Sequence, residues 1–157
     1  MTVWTEIPSP VGVLRLVSDG EALTSVMFDP TDPVAGERDD GHPVLARARE
    51  QLQAYFAGEL REFDLPLAAS GTPFQQRVWQ ALREIGYGQT ATYGEIARRL
   101  GLAPGASRAV GLANGRNPIA IVVPCHRVIG SSGRLVGYAG GLDRKQRLLS
   151  LESSALF

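Results

Sequence analysis

The chain has 157 residues, of which 44% are hydrophobic and 20% are charged, an ordinary composition for a globular protein of one domain or two small ones. No apolar run approaches the roughly 20 residues that cross a bilayer. The N-terminus also lacks the basic and apolar regions of a signal peptide. The single cysteine excludes an internal disulfide and a cysteine-rich zinc site. We therefore expect a cytoplasmic protein that is not embedded in a membrane.

The net charge of zero conceals a division along the chain. Residues 1–71 hold 5 Arg and 12 acidic residues, a net charge of −7, whereas residues 72–157 hold 10 Arg, 1 Lys and 4 acidic residues, a net charge of +7. The basic half is suited to contact with nucleic acid, because arginine can bind phosphate through two hydrogen bonds at once. Attraction between the two halves would explain the same asymmetry without a ligand.

The first 70 residues have the pattern of a small α/β domain. Strands are predicted over Val11–Val17 and Ala22–Phe28, joined by a turn at Asp19-Gly20, and they would form an antiparallel sheet. The segment Asp29–Gly41 is rich in Asp, Pro and Gly, which is typical of a mobile surface loop. A helix should follow from about Pro43 to Ala57.

Residues 71–157 are predicted to form a second domain, mostly helical and resembling a winged helix. Thr72-Pro73-Phe74-Gln75 and Thr92-Tyr93-Gly94-Glu95 are capping boxes, in which two side chains bind free N–H groups at the start of a helix. The helices that they start should end near Gly86 and Gly101. The pattern places a final helix over Leu142–Glu152.

A third helix of this half, predicted over Ala106–Asn114, completes a helix-turn-helix pattern with the helix before it. Its small residues, among them Ala109 and Gly111, would let DNA approach the backbone closely. Arg108 adds positive charge near the start of this helix. A tightly packed helix pair without a ligand would have the same pattern.

The only cysteine follows Pro118–Val123, which is predicted to be a buried extended segment. A lone cysteine beside apolar sequence is commonly a small buried hydrophobe, but a nearby His126 or Arg127 can raise its thiolate fraction. In an extended chain Cys125 and His126 point to opposite faces, so either the backbone turns or water bridges them. Glu152 is a candidate to orient His126, although periodicity alone would make it a solvated helix end.

The segment Pro124-Cys125-His126-Arg127-Val128, preceded by Asn117-Pro118 and followed by Gly140-Gly141-Leu142, resembles the active-site signature of the O6-alkylguanine-DNA alkyltransferases. The resemblance extends from about Gly71 to Glu152, through Phe74–Trp79, Tyr93–Ala97 and Arg108–Gly111. Residues 1–70 resemble the variable N-terminal domain of that family only loosely.

This resemblance implies direct-reversal DNA repair by a single-turnover methylated-DNA–protein-cysteine methyltransferase. The alkyl group of O6-alkylguanine would be transferred to the protein's own cysteine after the base is flipped out from the minor-groove side. The implied partner is double-stranded DNA, and no cofactor or metal is expected. We expect a monomer in solution; acceptance of O4-alkylthymine and cooperative binding along DNA stay open.

The resemblance also implies roles for individual residues. Cys125 would be the nucleophile, and His126, acting through water and oriented by Glu152, its general base. Tyr93 would help to rotate the nucleotide and would donate a hydrogen bond to N3 of guanine. Asn117 would stabilise the segment that carries the cysteine.

The remaining implied contacts are with DNA and with the flipped base. Arg108 would fill the gap that the base leaves in the stack. Further DNA contacts are expected at Ala106, Ser107, Ala109, Gly111, Ala113, Asn114 and Gly115. The pocket would be lined by Tyr93, Val128, Tyr138, Ala139 and Gly140. Small residues at Gly137 and Ala139 suggest that the pocket admits alkyl groups larger than methyl.

Some family members carry a structural zinc ion in the N-terminal domain, for which one cysteine and two histidines leave no credible site here. Three other functions would fit parts of the sequence. A non-catalytic protein that binds alkylated DNA would have another residue, typically tryptophan, in place of Cys125. A helix-turn-helix regulator would leave Pro124–Val128 unexplained, and a cysteine hydrolase would need an oxyanion hole that the sequence does not indicate.

Overall fold

The computed structural model describes residues 1–133, 138 and 140–154. The chain divides into two compact units, Met1–Ser70 and Gly71–Phe157. The first has a small sheet and a helix, and the second is mainly helical, which confirms the predicted fold class. No helix in the described part of the chain has the length and apolar character that a bilayer crossing requires.

The sheet of the first unit has four strands in the order β3-β2-β1-β4. Their bounds are Val3–Ile7 (β1), Leu14–Ser18 (β2), Leu23–Phe28 (β3) and Glu37–Arg38 (β4). β2 pairs antiparallel with both β1 and β3, as predicted for the hairpin, whereas β4 pairs parallel with β1. The sheet is therefore mixed rather than purely antiparallel. β1 was not predicted, although its residues alternate between buried and half-buried.

The predicted loop Asp29–Gly41 contains β4, so this segment is partly fixed rather than mobile throughout. Gly36 adopts a φ of +124°, and a Cβ there would overlap the carbonyl of Thr2. Only glycine therefore allows the chain to approach β1 at this point. Asp40 anchors the same segment, because it accepts hydrogen bonds from Thr5 (2.7 Å) and Arg38 (2.8 Å).

The predicted helix of the first unit extends over Pro43–Phe56 (α1). His42 caps its start by accepting a hydrogen bond from the Val44 N–H (3.3 Å). The face that carries Leu45 and Leu52 is buried against the sheet, as the spacing predicts.

In the described part of the second unit there are four α-helices and a small parallel sheet of two strands. The helices are Pro73–Leu82 (α2), Tyr93–Arg99 (α3), Ser107–Gly115 (α4) and Leu142–Ser154 (α5), and the strands are Ala91–Thr92 (β5) and Val128–Ile129 (β6). Both predicted capping boxes are present, at Thr72 and Thr92. α2 ends four residues before Gly86, because the chain continues as turns after Leu82.

The helices α2, α3 and α4 pack against one another, and α3 with α4 forms the predicted helix-turn-helix. A short 3-10 helix, Pro104–Ala106, forms the connection. The indole N–H of Trp79 in α2 donates to the carbonyl of Ala113 in α4 (2.8 Å) in the interior of this unit. That bond fixes α4 while leaving its opposite face exposed.

Pro118–Val123 is buried as predicted, but it is not extended. Ile121 adopts a φ of +71°, and the Val122 and Val123 N–H groups donate to carbonyls two and four residues earlier in the chain. Positive φ is uncommon for a β-branched residue and requires support from its surroundings. The segment is therefore a compact buried loop that leads directly to Cys125.

Candidate active site

Cys125 begins a single turn of 3-10 helix, Cys125–Arg127. Its N–H donates to the Val123 carbonyl (2.8 Å), and the Arg127 N–H donates to the Pro124 carbonyl (3.0 Å). Cys125 is 5% exposed and His126 is fully buried. Of the two geometries that the sequence left open, the structure shows that the backbone turns here. Adjacent side chains then diverge by about 120° rather than pointing to opposite faces.

Asn117 holds the loop that precedes the cysteine. Its Nδ2 donates to the Val123 carbonyl (2.9 Å), and its Oδ1 accepts from the Ile119 N–H (3.1 Å). The same side chain lies within hydrogen-bonding reach of the Cys125 thiol. Asn117 thus connects the end of α4 with both ends of the loop.

The environment of Cys125 favours the neutral thiol. Burial raises the pKa of the thiol, while hydrogen bonds from Asn117 and Tyr138 and the positive charge of Lys145 partly oppose that effect. A buried thiolate without compensation would be costly. The thiol is therefore protonated at neutral pH and needs a base before it can act as a nucleophile.

His126 is held by Glu152, a residue of α5. The Nε2 of His126 lies 2.6 Å from Oε2 of Glu152, whose side chain is 1% exposed. Arg127 also binds this carboxylate, through Nε to Oε1 (2.8 Å) and Nη2 to Oε2 (3.1 Å), and its Nη1 donates to the Ile85 carbonyl (2.7 Å). Glu152 is thus a buried partner of His126, not a solvated helix end. Arg127 contacts Glu152 instead of the thiol.

The protonation states of the pair follow from these contacts. Burial alone would raise the pKa of Glu152, but hydrogen bonds from His126 and Arg127 and the positive charge of Arg127 lower it to about 2. The carboxylate is then ionised and accepts the Nε2–H of His126. Burial also lowers the pKa of His126, against the opposing effect of Glu152. A neutral imidazole with an unprotonated Nδ1 results.

The free Nδ1 of His126 is the basic atom of the site. It is buried and has no hydrogen-bond partner among the residues that the structure describes. A neutral imidazole whose other nitrogen is fixed by a carboxylate is the arrangement that general-base catalysis uses. The chemistry available at Cys125 is therefore nucleophilic attack after proton transfer to His126.

Tyr93 and Asn114 lie beside the cysteine. Burial and the negative charge of a Cys125 thiolate raise the pKa of the Tyr93 phenol, and a hydrogen bond with the Asn114 amide opposes this. Asn114 also donates through Nδ2 to the Cys125 carbonyl (3.3 Å). The helix-turn-helix therefore contributes two polar side chains to the surroundings of the nucleophile.

Lys145 is a further functional candidate that the sequence did not suggest. Its side chain is fully buried in α5, and burial lowers the pKa of its ammonium group while the charge of Cys125 opposes that change. It lies three residues before Leu148 and seven before Glu152, so all three occupy one face of the helix. This spacing with Leu148 and Glu152 could have indicated from the sequence that Lys145 faces the interior. Positions with this spacing are, however, more often occupied by apolar core residues.

The exposed face of α4 carries only part of the predicted DNA contacts. Arg108, Ala109 and Gly115 are exposed, and Ala106, Ser107 and Gly111 are partly exposed. Ala113 and Asn114, which the sequence also assigned to DNA contact, are both 3% exposed and face the interior of the unit. Leu112, which the sequence did not single out, is 65% exposed on this helix.

The predicted pocket is only partly described. Val128 and Gly140 are buried and Tyr138 is half-buried. Ala139, and Gly137 with it, lie outside the described residues. Within the described ranges, no group of three or more His, Cys, Asp or Glu side chains is placed to hold a metal ion.

Comparison with known proteins identifies the family. Residues 73–154 match the family described as 6-O-methylguanine DNA methyltransferase, DNA binding domain, and residues 2–69 match its ribonuclease-like domain. The chain is 57% identical over 154 residues to a methylated-DNA–protein-cysteine methyltransferase from Mycolicibacterium paratuberculosis, covering 97% of this chain and 93% of that one. A protein of the same name from Methanosarcina acetivorans is 55% identical over 149 residues, covering 93% and 95% of the two chains.

Solved structures give the same result. The crystal structure of Mycobacterium tuberculosis O6-methylguanine methyltransferase has a TM-score of 0.92 and 53% identity, covering 100% of this chain and 96% of that one. The structure of Mycobacterium tuberculosis OGT in complex with DNA has a TM-score of 0.91 and 55% identity, covering 98% and 94%. The family resemblance seen in the sequence is therefore confirmed, and the chain belongs to the 6-O-methylguanine DNA methyltransferase family.

Proposed function

We propose that this protein repairs alkylated double-stranded DNA by direct reversal, transferring the alkyl group from O6 of guanine to Cys125. The observation that carries the proposal is the buried His126–Glu152 pair, 2.6 Å apart, whose histidine lies on the same 3-10 turn as Cys125. Membership of the methyltransferase family supports the same reaction.

The reaction begins with loss of the thiol proton. His126 accepts the proton of Cys125 through its Nδ1, directly or through one water molecule, and Glu152 stabilises the imidazolium that forms. The thiolate then attacks the alkyl carbon in line with the C–O6 bond. A carbon–sulfur bond forms, the carbon–oxygen bond breaks, and its electron pair passes to the guanine.

The departing guanine anion needs a proton or a hydrogen-bond donor as its charge develops. Tyr93 lies beside Cys125 and can donate to N3 of the base, which compensates that charge. The raised pKa of its phenol keeps the donor protonated at neutral pH. The products are neutral guanine, after uptake of the released proton, and an S-alkylcysteine.

Each chain reacts once in this mechanism. Transfer consumes the nucleophile, and the thioether that results is stable to water under ordinary conditions. The steps require only side chains of the chain and the DNA, so no cofactor takes part. The catalytic residues come from one chain, which suits a monomer, and the reducing cytoplasm would keep Cys125 as a thiol.

DNA binding is assigned to the helix-turn-helix. Arg108 is exposed near the start of α4, and Ala109 and Gly115 leave much of that face free of bulky side chains. We assign this face to the minor groove, with Arg108 occupying the gap left by the flipped base. Extrusion is necessary because the alkyl carbon cannot reach a buried cysteine while the base is stacked.

The test is intact and peptide mass spectrometry after mixing the protein with a duplex that contains one O6-methylguanine. We expect one added methyl group per chain, located on the Cys125 peptide and limited to one equivalent. Cys125→Ala should bind the duplex without changing it. Unmodified protein with unchanged DNA would indicate that the protein binds alkylated DNA without repairing it. Unmodified protein with repaired DNA would indicate a mechanism with turnover instead.

A further inference from the structure

Arg127 places a fixed positive charge beside the general base. Its side chain is buried, and each of its guanidinium nitrogens has a partner: Nε and Nη2 donate to Glu152, and Nη1 donates to the Ile85 carbonyl. The guanidinium also lies over the ring of Tyr87, 5.8 Å from its centre. A guanidinium in a protein does not lose its proton. The charge is therefore permanent and held in one place.

Arg127 and His126 bind the same carboxylate oxygen. Oε2 of Glu152 lies 2.6 Å from Nε2 of His126 and 3.1 Å from Nη2 of Arg127. The other oxygen, Oε1, accepts from Nε of Arg127 (2.8 Å). One negative charge is thus shared between a permanent cation and an imidazole that can be neutral or charged.

Without the arginine, the carboxylate would favour the imidazolium form of His126. An opposite charge this close stabilises the charged form of a titratable group. An imidazolium donates from both nitrogens and can accept no proton from a thiol. In the protein, burial lowers the pKa of His126, the contact with Glu152 opposes this, and the positive charge of Arg127 adds to the lowering. The arginine therefore offsets the carboxylate.

The other titratable groups near His126 do not replace this effect. The buried side chains of α2, which packs against the cysteine turn, are uncharged: Val78, Trp79, Ala81 and Leu82. The positive charge of Lys145 reaches His126 from α5, but it acts on Cys125 as well. Arg127 differs in that it binds Glu152 directly. The titratable side chains of this region are Tyr87, Tyr93, Cys125, Arg127, Lys145 and Glu152.

We infer that Arg127 is a positioning residue for the transfer reaction: by sharing the Glu152 carboxylate, it keeps His126 neutral at physiological pH, so that Nδ1 can accept the thiol proton. The inference rests on the proposed function. A buried ion pair is by itself a poor source of stability. Control of the base gives the buried arginine a function that stability alone does not.

The experiment removes the two charges singly and together. Arg127→Met deletes the cation, Arg127→Lys keeps it, and Arg127→Met combined with Glu152→Gln deletes both charges. Single-turnover transfer from a duplex with one O6-methylguanine is measured at saturating protein from pH 5 to 9. Arg15→Met is the matched control, because Arg15 is 8% exposed and binds Glu6 (2.9 Å) in the first unit.

We expect Arg127→Met to move the acid limb of the rate profile upwards by about one pH unit or more, because the unopposed carboxylate now protonates His126. Well below the wild-type midpoint, the rate should fall about tenfold for each pH unit of that movement. Arg127→Lys should restore most of the profile. The double variant should return the limb close to its wild-type position, since the two deleted charges cancel. Arg15→Met should leave the profile unchanged.

The protonation of His126 can also be measured without transfer. The chain has two histidines, His42 and His126, so nitrogen NMR of ring-labelled histidine, with His42→Gln for assignment, reports on each. We expect the wild type to show a protonated Nε2 and a bare Nδ1 at pH 7. Arg127→Met should have a higher titration midpoint. An imidazolium in the wild type at pH 7 would overturn the inference even if the variants fail to fold.

A rate that falls by the same factor at every pH in Arg127→Met, with an unmoved midpoint of His126, would reduce the arginine to a structural role and overturn the inference. Absence of transfer by the wild type would remove the proposed function instead. The NMR midpoints would still show whether Arg127 controls the protonation of His126, so the two failures are distinguishable.

Discussion

At the scale of single residues, the site pairs a nucleophile that is held neutral with a base that is held unprotonated. Burial raises the pKa of Cys125 and lowers that of His126. Both shifts favour the neutral forms, so neither side chain carries a charge before the alkylated base enters the site. Proton transfer between them creates two charges, of which Glu152 stabilises the positive one.

His126→Ala tests this division of roles. We expect the transfer rate at pH 7.5 to fall by on the order of 100-fold, the usual contribution of a general base. The loss should shrink as the pH rises through the raised pKa of Cys125, because the thiol then ionises without help. The wild-type rate should persist below pH 6.5, since the pKa of His126 is lowered. Rate profiles from pH 5 to 10 measure both; a parallel loss at every pH would contradict the assignment.

Arg108→Ala tests the DNA side of the site. The exposed guanidinium is assigned to the gap that the flipped base leaves in the DNA stack. Its loss should therefore slow base flipping and repair more than it weakens binding to an undamaged duplex. Fluorescence of 2-aminopurine next to the lesion reports flipping, and anisotropy reports binding. Cys125→Ala is the opposite control, with binding kept and repair abolished. Equal effects of both variants on binding and on repair would be inconsistent with this assignment.

At the scale of elements, local signals predicted the helices well. The capping boxes at Thr72 and Thr92 start α2 and α3 as expected, because their hydrogen bonds lie within four residues. The loop before Cys125 was predicted wrongly. Its apolar, β-branched residues favour an extended strand, but the contacts of Asn117 and a positive φ at Ile121 determine the observed turn. Tertiary contacts override propensity there.

The candidate site was predictable only where its residues are close together in the sequence. Cys125 and His126 are neighbours in sequence, and the family signature marks them together with Glu152. Their grouping in space depends on α5 packing against the cysteine turn, which no local pattern specifies. Lys145 and the inward orientation of Asn114 were missed, since a polar residue on a helix is ordinarily expected to face solvent.

Gly115→Ala separates the stability of α4 from its fit to DNA. A Cβ at Gly115 would meet no atom within 4 Å, and its φ is not positive. Replacement of a helical glycine by alanine under these conditions should stabilise the protein by about 0.5–1 kcal/mol. The added methyl group lies on the exposed face, so affinity for DNA should fall. Thermal unfolding and anisotropy measure the two effects. Unchanged affinity would place the DNA elsewhere.

At the scale of the whole molecule, the charge asymmetry affects DNA binding more than the zero net charge does. Residues 72–157 carry a net charge of +7, and Arg98, Arg99, Arg108 and Arg116 of the helix-turn-helix are exposed. We expect the logarithm of the binding constant to fall linearly with the logarithm of salt concentration, by about 0.9 for each phosphate neutralised. Arg116→Ala should reduce that slope by about 1 if it contacts phosphate. A flat dependence would argue against phosphate contacts.

Stability should fall on acidification, and the sign follows from two pKa shifts. The pKa of Glu152 is about 2 in the folded protein, against 4.5 ordinarily, so its contribution is complete above pH 4.5 and is lost as the pH falls towards 2. The pKa of His126 is lowered too, so the unfolded chain gains a proton first, below about pH 6.5. Both effects reduce the free energy of unfolding in acid.

Glu152→Gln tests the contribution of the Glu152 carboxylate. It leaves Arg127 buried beside a neutral amide, so we expect about 3–5 kcal/mol lower stability at pH 7 and a flatter pH dependence between pH 4.5 and 2. Urea unfolding in a Trp4→Phe background measures this, because Trp79 is then the only tryptophan and reports on the second unit. Since the exposed Asp19 and Asp40 also have lowered pKa values, only the difference between wild type and variant belongs to Glu152. Parallel curves would mean that its carboxylate adds no pH-dependent stability, and the buried network would then act through packing alone.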